Sequence, residues 1–276
     1  FDSANEKKTI VIFDEAGCIP GYELLGLTRL ETEIEALVLV GDKEQLPPYQ
    51  PSASFSSSPR VQSRTYSNRG RVFAPPTQPQ VKSLLDYSRL SLDSGEKVKL
   101  TTQYRVPRDI AAILNDRVYN GDYKTAPICK APAQGLRFVD VRQDAEPKRK
   151  YVNRYEVDEV LDIIARHQEQ QVMVITPYKN QQREIQFQLK RMGIDSHKVL
   201  TIDQCQGQEA DTVILSLVQK PTRFLNKNRL NVALSRVRQN LYFLTDKREF
   251  RKAAMNANWD CSLMANDILK LWDEYM

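Results

Sequence analysis

An α/β fold on parallel sheets is predicted by three features of this sequence. Short β-branched runs, Thr9-Ile10-Val11-Ile12-Phe13 and Ala36-Leu37-Val38-Leu39-Val40, run straight into Asp14-Glu15 and Gly41-Asp42. Continuous apolar runs of this length suit strands buried on both faces of a parallel sheet. A longer alternation of such runs with helix-periodic segments occupies the C-terminal part of the chain, and no internal repeat interrupts it.

Taken in order, the stretch 21–30 between the first two runs has room for a helix, which makes the opening a β-α-β unit. From Pro51 to Gln80 the chain is rich in Ser, Pro and Arg, and no Asp or Glu occurs between Glu44 and Asp86. That composition predicts a disordered insertion over 51–80, either an arm that touches phosphates or a solvated loop. A helix is expected at 81–92 and a strand at 98–102; Pro107 then opens a helix. The second series places strands near 136–141, 172–176, 199–202, 212–218 and 241–244. Helices are expected over 153–169, 180–192 and 229–237. A last helix over 261–275 docks through Leu263, Met264, Ile268, Leu271 and Trp272. Two successive α/β regions follow, divided at 104/105.

Composition narrows the functional classes. The 276 residues are 41% hydrophobic and 27% charged, enough for packed cores and against wholesale disorder. No run of about 18 apolar residues suggests a membrane span, and the first residues lack the apolar centre of a secretory signal. Cysteines 18, 129, 205 and 261 form no CxxC pair, so reduced thiols in cytosol or nucleus are expected rather than zinc or disulfides. A net charge of +5 permits a nucleic-acid partner without requiring one.

Several segments carry chemistry. Asp14-Glu15 at the C-terminal end of an apolar strand is a Walker B arrangement, one acid for Mg²⁺ and one to polarise water; it also suits a strand entering a helix cap. Gln45, in Gly41-Asp42-Lys43-Glu44-Gln45-Leu46-Pro47-Pro48, can reach a γ-phosphate, although Gly-Asp and Pro-Pro are also ordinary turn signals. Arg105 projects from Gln103-Tyr104-Arg105-Val106-Pro107. Arg229 and Arg236 are spaced to share a helix face about two turns apart, suited to clamping developing charge or to surface ion pairs. In Thr201 to Asp211, Gly207 permits a close turn, while Gln206 and Glu209 offer hydrogen bonds to phosphate or ribose.

Together and in this order these segments resemble motifs II to VI of a superfamily 1 helicase. DEAG (14–17), GDKEQLPP (41–48), TQYRVP (102–107), TPYKNQQ (176–182), TIDQCQGQEAD (201–211) and NRLNVALSRVR (228–238) carry the resemblance, over roughly residues 9–246. The wording is closest to the superfamily 1B branch of the nonsense-mediated-decay helicase and senataxin, and is similar to nidovirus helicases. The resemblance implies that 1–104 is the C-terminal part of a first RecA-like domain and 105–276 a second RecA-like domain of AAA type. It implies ATP and Mg²⁺ as cofactors, hydrolysis between the two domains, and translocation on single-stranded RNA or DNA, 5′ to 3′ in this branch.

Position by position, Asp14 would hold Mg²⁺ with Glu15 behind it as catalytic base. Gln45 would couple the γ-phosphate to domain movement, and Arg105 and Arg236 would be arginine fingers. Gly207 and Glu209 would sit beside the nucleotide, Glu209 on the ribose. Pro177, Tyr178 and Thr201 would contact the strand. The family's motif II carries Ser or Thr where Gly17 stands, and GxxxxGK[ST] is found nowhere in the chain. A fragment of a helicase, inactive alone and completed by a P-loop upstream in the same polypeptide, is therefore expected. A catalytically dead nucleic-acid-binding module is the other reading. A metal-dependent nuclease would need a further carboxylate cluster that the sequence lacks.

Overall fold

The computed structural model describes residues 8–49, 81–87, 97–129, 135–144, 150–167, 172–194 and 198–275. The insertion expected at 51–80 lies outside them. The chain forms two compact units, one of Phe1–Lys43 with Pro47–Gly95, the other of Glu96–Met276 together with Glu44–Leu46.

In the first unit β1 (Lys8–Phe13) and β2 (Glu33–Leu39) pair in parallel, with Phe13 opposite Leu39. The connection between them is a 3-10 helix, Gly21–Arg29, rather than an α-helix, and buries no residue fully. A single turn, α1 (Leu84–Tyr87), inserts Leu84 into this unit; the rest of the helix expected at 81–92 lies outside the described residues. The prediction that β1 and β2 are buried on both faces is corrected: both alternate, and Ile10 and Ile12 stand 59% and 64% exposed. Among the described residues this sheet has two strands, and neither buries a residue fully.

The second unit begins with β3 (Thr102–Gln103), α2 (Arg108–Arg117) and β4 (Lys124–Thr125). The strand expected at 98–102 survives only at Thr102, because Val98 and Leu100 find no surface to cover and remain exposed. There follow β5 (Gly135–Asp140), α3 (Arg154–Arg166), β6 (Val172–Thr176), α4 (Lys179–Arg191), β7 (Lys198–Thr201) and β8 (Ala210–Ser216). The chain closes with α5 (Lys227–Leu234), β9 (Val237–Thr245), α6 (Lys247–Ala254) and α7 (Ser262–Glu274).

The sheet is parallel throughout, in the order β5-β9-β8-β6-β7. Every residue of β6 is buried, as expected for a strand with helices over both faces. Alternate residues divide between two layers. Val172, Val174, Ile214 and Leu244 pack with Val160, Ile164, Ile185 and Leu189 of α3 and α4. On the opposite pleat Phe243 meets Phe250 of α6, and Phe138 stacks on Trp272 of α7 at 5.2 Å. Met264, Ile268 and Trp272 make the docking face of α7 as predicted, but Leu263 points to solvent and Leu269 takes a buried place.

The helix expected at 229–237 ends earlier. Ser235 is its C-cap and Val237 already belongs to β9, so Arg236 lies in the turn between them. Ser235 Oγ and Arg236 Nε both donate to the Val232 carbonyl, satisfying an acceptor the helix end would otherwise leave open. Arg229 and Arg236 therefore do not share a helix face.

Candidate functional site

Strand ends and turns present the predicted residues. In the first unit, the main chain leaves β1 through Asp14 and Glu15, with Asp14 Oδ1 accepting the Glu15 amide at 2.8 Å and Glu15 at φ 52°. Ala16 donates to the Val40 carbonyl, tying this turn to the one after β2. The two turns touch backbone to backbone. A Cβ on Gly17 would stand 2.6 Å from the Asp42 carbonyl oxygen, and one on Gly41 2.8 Å from the Ala16 nitrogen. A side chain at either glycine would therefore collide with main chain unless the two turns moved apart. Asp86 braces the same region: its hydrogen bond from Lys43 holds its carboxyl down at about 2.

Among the described residues no group of three or more His, Cys, Asp or Glu could hold a metal ion. Mg²⁺ that arrives with a nucleotide is in general held by one or two carboxylates plus phosphate and water. Asp14 is a hard oxygen donor of that kind at the C-terminal edge of a parallel pair.

In the second unit the predicted nucleotide residues come together. Arg236 is 2% exposed, and its guanidinium is fully directed. Nε donates to Val232 O at 2.9 Å, one terminal nitrogen to Gln208 O at 3.3 Å, and the other to Gln45 Oε1 at 3.1 Å and Ser235 Oγ at 3.2 Å. Gln45 is delivered by α5: Asn228 donates to its carbonyl at 2.7 Å, Asn231 to the Glu44 carbonyl at 2.9 Å, and Lys227 pairs with the Glu44 carboxylate at 2.8 Å. One residue on from Gln208, Glu209 forms an ion pair with Arg105, and its other oxygen lies 3.4 Å from Arg238. Gly207, at φ 73°, turns the chain into this segment; no atom crowds its missing side chain, so the backbone conformation is what calls for glycine.

Arg105 is aimed by Gln103, whose Oε1 accepts the Arg105 amide at 2.8 Å and the Val106 amide at 2.7 Å while Nε2 donates to the Val106 carbonyl. Sequence reasoning missed Gln103, Asn228, Asn231 and Arg238 as organisers. The signal is present in the sequence: each lies inside one of the motifs TQYRVP and NRLNVALSRVR, beside the arginine that motif carries.

The predicted strand contacts behave differently. Pro177 and Thr201 are buried at the ends of β6 and β7. Tyr178 stacks on Tyr151 at 4.6 Å and on Phe224 at 5.7 Å, and its hydroxyl accepts from Gln219 at 2.8 Å. Burial raises the Tyr178 phenol above its ordinary pKa, although its hydrogen bonds oppose the shift. Phe224 is the more open ring at 40% exposure, with the Arg229 guanidinium 4.2 Å over it. Arg229 also makes a two-pronged pair with Asp203 at 2.9 and 3.4 Å.

Beneath these rings lies a buried polar network. Asn153 caps α3 and exchanges hydrogen bonds with Gln181; Gln181 donates to Ser216 Oγ, and Ser216 donates to Glu156 at 2.6 Å. Glu156 also accepts the amide of Val218, a β-branched residue held at φ 73°. Burial pushes the Glu156 carboxyl up to about 8 against these hydrogen bonds. Nearby in the sequence, Cys205 is fully buried, donates to the Ile202 carbonyl, and has its thiol pushed up to about 12 by burial. All four cysteines are free thiols, and no helix among the described residues is long and apolar enough to cross a membrane.

Known proteins share this arrangement of segments. Residues 82–248 match the AAA_12 family, described as an AAA domain. Human "Probable helicase senataxin" is 30% identical over 276 residues, covering 91% of this chain and 10% of that protein. Mouse "5'-3' DNA helicase ZGRF1" is 27% identical, covering 91% of this chain and 14% of that protein. The chain thus spans about a tenth of the length of these relatives. Among solved structures, the PRRSV helicase aligns with 88% of this chain and 36% of its own, at 20% identity and a TM-score of 0.45. An arterivirus nonstructural protein 10 helicase solved with DNA aligns at 17% identity and a TM-score of 0.44, over 88% of this chain and 41% of its own. With the sheets parallel and residues 82–248 matched, the chain belongs to the AAA_12 family of AAA domains and to the senataxin-like branch of the superfamily 1 helicases, with RecA-like folding.

Proposed function

We propose that this chain is the part of an ATP-dependent helicase that supplies the Walker B acids and the arginine fingers. The observation that carries the reading is the connected set Gln45–Arg236–Gln208 with Glu209–Arg105 beside it. A fully hydrogen-bonded, buried arginine that faces a motif III glutamine is a charge already directed, which suits stabilising charge that develops on a transferred phosphoryl group. Asp14 would hold Mg²⁺, whose contribution when bound is to neutralise phosphate charge. Glu15 would take the proton of the attacking water. Arg105 and Arg236 would meet the γ-phosphate, and Gln45 would link its presence to Arg236.

The division at 104/105 into part of one RecA-like domain and a whole second one belongs to the same proposal. The P-loop would come from elsewhere in a longer polypeptide, and the chain alone would not turn over ATP. Single-stranded RNA or DNA would cross the strand ends that carry Pro177, Tyr178 and Thr201, with 5′-to-3′ movement. The arterivirus relative solved with DNA and the 5'-3' DNA helicase support a nucleic-acid track. Binding would weaken as salt rises. An intracellular, reducing location suits the four free thiols.

The test is ATP turnover by the full-length protein with single-stranded RNA or DNA, together with displacement of tailed duplexes. Turnover stimulated by the strand and abolished in Glu15→Gln is the expected result. Strand binding without any turnover in the full-length protein would make this a binding module instead.

A further inference from the structure

The ring of Tyr178 is held between two turns that both carry backbone strain. In the second unit, the non-glycine residues at positive φ among the described residues are Asn120, Tyr151 and Val218. Asparagine accepts that conformation readily, whereas an aromatic or a β-branched residue does not. Tyr151 and Val218 are the two that flank Tyr178. At Val218 φ is 73° and the Gln219 amide donates to the Leu217 carbonyl at 2.8 Å, a γ-turn of the positive-φ form, the rarer and more strained of the two. The cap and first turn of α3 clamp that residue from both sides. The buried Glu156 carboxyl accepts the Val218 amide at 2.9 and 3.0 Å, and Asn153 Nδ2 donates to the Val218 carbonyl at 3.3 Å. Tyr151 is tied down from α4, where Asn180 donates to the Lys150 carbonyl at 2.9 Å. Strain kept in place by its surroundings gathers at ligand clamps and switch regions.

We propose that Glu156 and Asn153 are positioning residues for the strand contact at Tyr178, fixing its ring before a single strand arrives. This rests on the strand-contact reading above and deepens it. The contacts run outward from the clamp. Beyond Val218, Gln219 donates to the Tyr178 hydroxyl at 2.8 Å, and Phe224 of the same loop stacks on the ring at 5.7 Å and 21°. Before Asn153, Tyr151 covers the other face at 4.6 Å and 5°. Both faces of Tyr178 are thus taken, and a strand would meet the edge of a three-ring stack whose order is already set. Ordering a side chain ahead of binding spares its entropy cost at the moment of association. Without an acceptor at position 156 the Val218 amide is left buried and unpaired, and the turn relaxes toward negative φ. Gln219 and Phe224 then lose the positions from which they hold the ring.

The experiment follows binding of fluorescein-labelled oligo-dT and oligo-U to the full-length protein by anisotropy. A fluorotyrosine placed at position 178 gives a second readout in the free protein. Glu156→Met, which keeps the volume and removes the acceptor, should weaken strand binding by about 3- to 10-fold, the scale of ordering one side chain on binding. The salt dependence of the affinity should keep its slope, since no phosphate contact is lost. Glu156→Gln retains an acceptor for the Val218 amide and should recover most of the loss. In a Tyr178→Ala background, Glu156→Met should add less than about a 2-fold further loss, as residues acting through one contact do. Ile163→Val, which loosens the core beneath α3, should leave the affinity within about 2-fold. The fluorine resonance should be single and narrow in the wild type and broadened or split in Glu156→Met. Where Glu156→Met does not fold, Gln219→Ala cuts the last link to the ring at a half-buried residue and should reproduce both effects. Unchanged affinity with an unchanged fluorine resonance would overturn the proposal, as would equal losses from Glu156→Met with and without Tyr178. Wild-type affinity in Tyr178→Ala would instead strike the strand-contact reading, and the fluorine resonance would then decide whether Glu156 fixes the ring.

Discussion

Arg236 and Arg105 are proposed for one task and are held in opposite ways. Arg236 is buried, with every guanidinium nitrogen donating to a neutral acceptor on the end of α5 or on the turns packed against it. Arg105 is half-exposed and rests on a carboxylate that a second arginine shares. The first arrangement satisfies a group in place; the second directs a group by charge. Mutations should separate these two ways of holding an arginine.

The largest effect is expected at Arg236. Arg236→Ala in the full-length protein should reduce strand-stimulated turnover by about 10³-fold or more. It should also destabilise the fold by about 1–3 kcal/mol, because the carbonyls of Val232 and Gln208 lose a buried donor. Arg236→Lys should not restore turnover, since an ammonium cannot reproduce the fork of donors. Chemical denaturation and steady-state kinetics check the two halves. Equal stability of Arg236→Ala and wild type would break the contrast with Arg105.

A smaller effect concerns the network below the aromatic rings. The folded Glu156 carboxyl has a pKa of about 8 against an ordinary 4.5, so the folded state holds the proton more tightly. Its contribution to stability is therefore fully present below about pH 4.5 and is lost as pH rises toward 8. The slope attributable to it is at most ~1.4 kcal/mol per pH unit. Glu156→Gln should flatten that part of the stability profile, measured by denaturant titration from pH 5 to pH 8; an unchanged slope would remove Glu156 as its source. The smallest effect is expected at Arg229. Its pair with Asp203 is partly exposed, so Arg229→Ala should cost less than about 1 kcal/mol in the same titration. A loss like that of Arg236→Ala would mean the two arginines are held alike.

The fold was legible where burial and periodicity agree. Val172–Thr176 has helices over both pleats, and its unbroken apolar run reads directly as a central strand. The same kind of run at Ile10–Ile12 misled, because composition cannot tell whether a second layer lies over it. The end of α5 was missed by three residues: Ala233, Leu234 and Val237 continue an apolar rhythm across the turn, and the hydrogen bonds that stop the helix come from Ser235 and Arg236 themselves. Motif residues pointed to the site, yet their partners did not emerge. Glu209 and Arg238 meet through strand register, and Tyr178 meets Tyr151 and Phe224 through loops far apart in the chain. Pairings of that kind arise from tertiary structure, which spacing along one segment does not encode.

The burial of Cys205 has a practical consequence for watching the chain at work. A thiol whose pKa stands at about 12 holds almost no thiolate at neutral pH, and its hydrogen points into the Ile202 carbonyl. Cys18 and Cys129 are only half-buried and should be alkylated first. Once those two and the buried Cys261 are replaced, the slow labelling of Cys205 becomes a clock for transient opening of the turn that leads to Gly207 and Glu209. Its rate, followed with and without a bound strand, reports how often that segment lets go of the arginines it holds.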